Sequence, residues 1–335
     1  MENKKRMSNG KFLAIWIPIL SVVVILLIVV TVAMNALSSV MNTYLGKGER
    51  FEVPLEGTEN WDSQYNKTDY ATGAEAKAAG IAAANEVVDE GVILLKNDGV
   101  LPLAKQSTVV PFGYRYIEPV LGQSSSGGAA KWILDSERTL PEAGLTDFVI
   151  NTSAADRMVG EPAGLAEAPG TSTAGDTDSP LGGNSYIYEY PASIYDGLTA
   201  IPNSTALVFV GRYGQENQDK KCDAYEDGTP HYLALSQNEK DTIAKAKELC
   251  TNVVLVLQTA GAMELAPVMA GDLEVDAILM MGQVGQDGYS RFGKILSGDV
   301  VPSGRTPHVY AADLTKDPSY ANWGTFEYTN VPSIS

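Results

Sequence analysis

In NVVLVLQTA, residues 252–260, five apolar residues run without a break from Val253 to Leu257. A strand with one face in water alternates apolar and polar positions. A run like this one needs cover on both faces, and parallel sheets layered between helices supply it. Similar short runs recur in STVVPFG (107–113), DFVIN (147–151), ALVFVG (206–211) and DAILMMG (276–282). VILLKNDGVLPL (92–103) reads as a short buried strand, a turn at Asn97-Asp98-Gly99 and a second apolar piece. Between these lie helical patterns. In LSQNEKDTIAKAKELC (235–250), Ser236 and Glu239 have capping-box spacing, and Ile243, Ala246 and Leu249 or Cys250 share a face. QDGYSRFGKILSG (286–298) reads as a helix ending at Gly298. The alanine-rich 71–91 stretch reads as another, closed by Gly91 as a C-cap. The alternation predicts an α/β fold, a mostly parallel sheet sandwiched by helices. In such sheets ligands meet the loops at the carboxyl ends of the strands.

A separate element precedes this domain. Phe12 to Met34 is apolar except for Ser21 and Thr31, and Lys4, Lys5, Arg6 and Lys11 stand before it. About 20 apolar residues suffice to cross a bilayer, and the core of a cleaved signal peptide is shorter, ~7–15 residues. The pattern predicts a single-pass anchor in the cell membrane, with the N-terminus cytoplasmic and the following domain extracytoplasmic. Cleavage after the small residues Ala33 or Ala36 is the alternative.

The chain carries 24 basic and 41 acidic residues; setting aside the four cations and one acid before the apolar run leaves 20 against 40. Such an acidic domain is a poor match for nucleic acid or anionic lipid. Cys222 and Cys250 are too few for a disulfide framework and read as unpaired thiols. His231 and His308 lack metal-ligand spacing, so no metal site is expected. GxSxG and GxxxxGK[ST] motifs are absent. GQVGQDG (282–288) follows a strand and opens a helix, but its spacing is GxxGxxG, and its glycines read as a tight strand-to-helix turn.

Two polar loops are candidates for chemistry. VFVGRYGQENQDKKC (208–222) breaks from an apolar strand into carboxylates, amides and cations. LGQSSSGGAAKW (121–132) is a Gly/Ser loop able to approach a sugar or phosphate, or simply a flexible connection. Residues 160–184, rich in Gly, Ala, Pro, Ser and Thr, read as a mobile surface insertion. Asn66, Asn151 and Asn203 match the glycosylation acceptor pattern, which matters only in a eukaryotic source.

GVILLKNDGVLPL, VGRYGQENQD, LSQNEKDTI, NVVLVLQTAGAMEL and VDAILMMGQVGQDGYSRFGKILSGDVVPSGRTP occur in that order. Together they resemble the C-terminal α/β-sandwich domain of glycoside hydrolase family 3, over roughly Ala79 to Tyr310 less the 160–184 insertion. The most specific parts are LLKNDGVLPL and LSGDVVPSGRTP. The resemblance implies retaining hydrolysis of a β-linked glucoside or oligosaccharide. An aspartate nucleophile on a (β/α)8 barrel and an acid/base glutamate lent by the sandwich domain would stand ~5–5.5 Å apart. The family's polar loop, glutamate followed three residues later by aspartate and a basic residue, matches Glu216, Asp219 and Lys220. Glu216 is then the expected general acid/base, with Glu226 as fallback, and Asp219 orients the loop or a sugar hydroxyl. Ser124, Ser125, Ser126 and Gly127 match a loop near the family's active-site entrance. No cofactor or metal is implied.

A (β/α)8 barrel takes ~250 residues, and only 25 follow Tyr310. The expected layout is a basic tail (1–11), an anchor (12–35), a stalk (36–70), the sandwich domain (71–312) and a truncated linker (313–335). The barrel would come from a downstream segment or another chain, and the isolated chain would be inactive. The competing expectation is a non-catalytic, membrane-anchored carbohydrate-binding or scaffold module. A nucleotide-binding α/β protein is a weaker rival, given the glycine spacing above.

Overall fold

The structure is a computed structural model that describes residues 8–38, 69–122, 138–159, 187–212, 224–225, 227–307, 309–317 and 320. The chain divides into two compact units, Met1–Asp69 and Tyr70–Ser335. The first contains helix α1, Asn9–Ala36. At ~1.5 Å per residue, its 28 residues exceed the ~30 Å of a bilayer's hydrocarbon core. Its two hydroxyls bond back to the helix's own backbone. Ser21 Oγ donates to the Ile17 carbonyl at 2.9 Å and Thr31 Oγ1 to that of Leu27 at 2.7 Å.

The second unit is built on one six-stranded sheet of order β1-β6-β5-β4-β2-β3. Its strands are β1 (Ile93–Asn97), β2 (Thr108–Phe112), β3 (Val149–Ile150), β4 (Ile201–Gly211), β5 (Cys250–Gln258) and β6 (Ala277–Met280). All neighbours pair in parallel except β1, which runs antiparallel to β6. The expected mostly parallel α/β sheet is therefore present, with one reversed edge strand.

Burial explains the apolar runs. Ser204 to Gly211 of β4 and Val253 to Gln258 of β5 are buried throughout, as central strands covered on both faces must be. Phe209 meets Phe292 at a ring-centroid distance of 5.6 Å and Tyr116 at 5.3 Å. Phe292 opens helix α7, Phe292–Ser297, and Tyr116 lies in the short helix α3, Tyr114–Ile117; α4, Pro141–Gly144, stands between them in sequence. Helix α5, Gln237–Leu249, follows the loop after β4, and the short helix α6, Ala266–Met269, follows β5. α5 has the predicted capping box, and buries Ile243, Ala246 and Leu249 as its spacing requires. Such a cap contributes about 0.5–2 kcal/mol.

Helix α2, Gly73–Gly91, ends differently from expectation. Gly91 is its last helical residue and Val92 enters extended backbone, so no left-handed C-cap forms there. A Cβ on Gly91 would meet nothing within 4 Å; the close approach calls for glycine at 304, where a Cβ would lie 2.3 Å from the Gly91 carbonyl oxygen. The left-handed stop is at Gly298, φ +79°, which caps α7 as predicted. The expected helix over 286–298 starts as a 3-10 turn, Gly288–Arg291, before α7.

Candidate functional site: two loop necks at the carboxyl edge of the sheet

Because β2, β4, β5 and β6 are parallel, their carboxyl ends lie along one edge, and the loops leaving them rise side by side. Gln258, the last residue of β5, organises that edge. Its fully buried side-chain oxygen accepts the Val120 N–H at 2.7 Å, and its Nε2 donates to the Arg115 carbonyl at 3.0 Å. Its own carbonyl accepts the Arg212 N–H at 3.1 Å. One residue therefore holds the loop after β2 and the loop after β4. The two roots are packed closely enough to require a glycine. A Cβ on Gly211 would lie 2.9 Å from Val120 Cγ2 and 3.1 Å from Arg115 Cγ.

Arg212 is buried where the chain leaves β4, and every N–H of its guanidinium is used. Nε donates to the Tyr232 carbonyl and Nη2 to that of Ala234, both at 2.6 Å. Nη1 donates to the Gly211 carbonyl at 3.0 Å. The two nitrogens also grip Glu239 in bidentate fashion, at 2.6 and 2.7 Å. Glu239 Oε2 additionally accepts the Ser236 N–H at 2.8 Å, so the cap of α5 and the root of the loop share one carboxylate. The end of β4 is thus joined to Tyr232, Ala234 and the first turn of α5.

The loop after β2 has its own neck. Gly285 donates its N–H to the Leu121 carbonyl at 2.6 Å, and Thr139 donates its own to that of Gln286 at 2.9 Å. Thr139 Oγ1 also donates to Asp287, and Asn85 Nδ2 donates to the same carboxylate at 2.9 Å. Partial burial opposes ionisation of Asp287, but the bonds from Asn85, Thr139 and Ser290, with the charge of Arg291, outweigh it. Its pKa lies below the ordinary value. The glycines of GQVGQDG belong to this turn: Gly282 and Gly285 have φ of +72° and +70°. Those backbone demands agree with the tight-turn expectation.

Glu189 links the root of the loop after β2 to helix α5. Its buried carboxylate accepts the Tyr190 N–H at 2.9 Å and the Tyr114 N–H at 3.2 Å, and its carbonyl accepts Asn238 Nδ2 at 3.3 Å. Burial pushes its pKa up to about 8, and the nearby charge of Glu239 adds to this; the two N–H bonds and Arg115 oppose it. A further contact ties the β4 loop to the C-terminal segment. His231 Nε2 pairs with Glu264 Oε2, which also accepts the Leu314 N–H at 3.2 Å.

The model of the glycosyl hydrolase family 3 C-terminal domain matches residues 92–332. The chain belongs to glycoside hydrolase family 3. A β-glucosidase of Ruminococcus albus is 28% identical over 246 residues, covering 72% of this chain and 24% of its own length. β-Glucosidase A of Butyrivibrio fibrisolvens is 28% identical over 260 residues, covering 70% and 29% respectively. Among solved structures, a β-glucosidase from Paenibacillus barengoltzii superposes with a TM-score of 0.56 at 22% identity, over 73% of this chain and 25% of that one. β-Glucosidase 3B of Thermotoga neapolitana, in complex with glucose, gives 0.55 at 22%, over 75% and 33%. These structural likenesses establish the family 3 fold. The chain spans about a quarter to a third of the length of these relatives.

Glu216, Asp219 and Lys220, the fallback Glu226, and Ser124 to Gly127 all lie outside the described residues. What the structure brings together is the pair of necks from which their loops leave: Leu121 and Thr139 for one, Arg212 and Tyr232 for the other. Sequence reasoning missed Arg212, Gln258, Glu189 and Asp287. Two of them carried a signal. Arg212 is a lone cation directly after an apolar strand, and Gln258 is a lone amide at the end of another. Neither residue declares its partners, which lie far away in the chain.

Proposed function

We propose that this chain is the acid/base-bearing component of a β-glucosidase-like family 3 hydrolase, acting by the retaining mechanism once joined to a barrel domain. The observation that carries this is the shared edge: the loop bearing Glu216 and the loop bearing Ser124 to Gly127 leave adjacent parallel strands, with roots in contact through Gly211, Val120 and Arg115. The β-glucosidase relatives supply the substrate class, a β-linked glucoside or oligosaccharide.

In this scheme Glu216 protonates the leaving glycosidic oxygen and then activates water. Asp219 orients the loop or a sugar hydroxyl. Ser124, Ser125, Ser126 and Gly127 stand on the substrate side. A barrel aspartate, from a further segment or another chain, attacks the anomeric carbon. Two carboxylates suffice for this chemistry, so the reaction needs no metal or cofactor. Residues 12–35 anchor the protein in the cell membrane, 36–70 form a stalk, 71–312 make the extracytoplasmic sandwich domain, and 313–335 lead toward the barrel.

The test is hydrolysis of an aryl β-glucoside by the chain alone and by the chain joined to its barrel-bearing partner. Activity confined to the joined form, lost in Glu216→Ala and partly restored by azide, is the expected result. No activity in either form would leave a carbohydrate-binding or scaffold module instead.

A further inference from the structure

We infer that residues 309–317 form a latched strap across the carboxyl edge of the sheet, with the Glu264 carboxylate as its latch. Polar contacts fasten the strap at Tyr310 and at Leu314. Tyr310 Oη donates to the sulfur of Met280, the last residue of β6, at 3.0 Å. Four residues on, the Leu314 N–H donates to Glu264 Oε2, in the loop after β5, at 3.2 Å. Between these anchors the strap walls a cavity of about 510 Å³. Leu95, Leu265, Ala266 and Met269 line its body side, and Tyr310 and Ala311 its strap side.

Three features separate this strap from ordinary surface chain. First, apolar packing does not hold it: no residue from 309 to 317 is buried, and Val309 is 93% exposed. A segment with so little burial belongs to the low-stability end of a fold, where opening is local. Its hold therefore depends on the polar contacts. Second, the latch is itself firmly set. The same Glu264 oxygen pairs with Nε2 of His231, whose side chain is 3% exposed, and the Glu264 N–H donates to the Leu233 carbonyl at 2.9 Å. The His231 ring also meets the Tyr320 ring edge-on, at 5.5 Å between centroids, and so catches the chain beyond the strap. Third, the strap is preformed where it latches. Asp313 accepts the Thr315 N–H at 3.0 Å and caps a 3-10 turn, Leu314–Lys316, whose first N–H is left for the carboxylate. Once Glu264 lets go, the strap swings from Met280 and the cavity opens toward the edge where sheets of this kind meet ligands.

The test uses the full chain in detergent micelles, with variants Glu264→Ala and His231→Phe. The phenyl ring keeps the contact with Tyr320 but brings no N–H to the carboxylate. Hydrogen–deuterium exchange, read by mass spectrometry, compares the amides of 309–317 with those of 253–257 in buried β5. Peroxide oxidation compares Met280 with Met269, which is 42% exposed and lies outside the strap. Exchange in the strap, relative to β5, should rise about tenfold in Glu264→Ala and by less in His231→Phe, where Glu264 still accepts Leu314. The Met280-to-Met269 oxidation ratio should rise with it, although Met280 bonds to Tyr310 rather than to Glu264. A general loss of stability would speed exchange in β5 equally, and a purely local effect would speed Leu314 without exposing Met280. Either of those patterns, or no change in Glu264→Ala, overturns the latch.

Discussion

Gln258 accepts the backbone N–H of Val120 through its side-chain oxygen at 2.7 Å, although the two are 138 residues apart in sequence. Together with the bond from Gln258 Nε2 to the Arg115 carbonyl, this fastens the loop after β2 to the end of β5. In Gln258→Leu the volume is kept, but a buried N–H and a buried carbonyl lose their partners. Each such loss costs about 1–3 kcal/mol. The expected result is a loss of about 2–6 kcal/mol in denaturant unfolding, against near-neutral substitution at exposed Gln237.

The raised pKa of Glu189 has a definite sign in stability. The folded protein keeps the proton up to about pH 8, whereas the unfolded chain releases it near the ordinary 4.5. Between those values the native state binds more protons than the unfolded one, so this group makes stability fall as pH rises, and its effect levels off above about 8. Glu189→Gln, which cannot ionise, should remove that part of the slope and gain most over wild type above pH 8. Urea midpoints of both proteins at pH 5, 6.5 and 8.5 check it. Parallel pH profiles would contradict the protonated assignment. The groups facing Glu189, namely Arg115, Glu239 and the Tyr114 and Tyr190 N–H donors, are unchanged in the variant, so the difference isolates one carboxyl.

Asp287 behaves in the opposite way. Its folded pKa is lowered, so its contribution is present above the unfolded value of 3.8 and is lost as pH falls through the folded one. Asp287→Ala removes acceptors for Asn85, Thr139 and Ser290 together. A loss of about 2–4 kcal/mol is expected. Cleavage by a broad-specificity protease within 123–137 should accelerate more than cleavage elsewhere, because Thr139 closes that neck. Equal acceleration at all sites would reduce Asp287 to a general stabiliser.

Helix α1 makes a localisation prediction. The full chain should stay with membranes through alkaline carbonate extraction, and deletion of residues 1–38 should move the remainder to the soluble fraction. Recovery of a soluble protein whose N-terminus follows Ala33 or Ala36 would identify the run as a cleaved signal.

Much of this fold was legible because its strongest signals are local. Val253 to Leu257 could be buried only between two layers, Ser236 and Glu239 sit at the spacing a capping box requires, and Gly298 stands where a helix must stop. Gly91 misled because a glycine at the end of a helical pattern need not take the left-handed turn: here it is the last helical residue, and extended Val92 ends the helix. The site was legible only as loops. Its expected reactive residues could be nominated by resemblance, while of the residues that hold the loops only Arg212 and Gln258 left a mark, as lone polar groups at strand ends whose partners the sequence does not show.

The division follows from the range of the interactions. Periodicity and capping act over a few residues, so the sequence by itself determined the strands, the α5 helix, the apolar span and the family motifs. The reversal of β1, the neighbouring of β2 and β4, and the meeting of Arg212 with Glu239 and of Gln258 with Val120 depend on how the sheet is ordered. A guanidinium or an amide satisfies its donors with whatever carbonyls the packing brings within reach, and only the tertiary structure decided that these would be the necks of two loops.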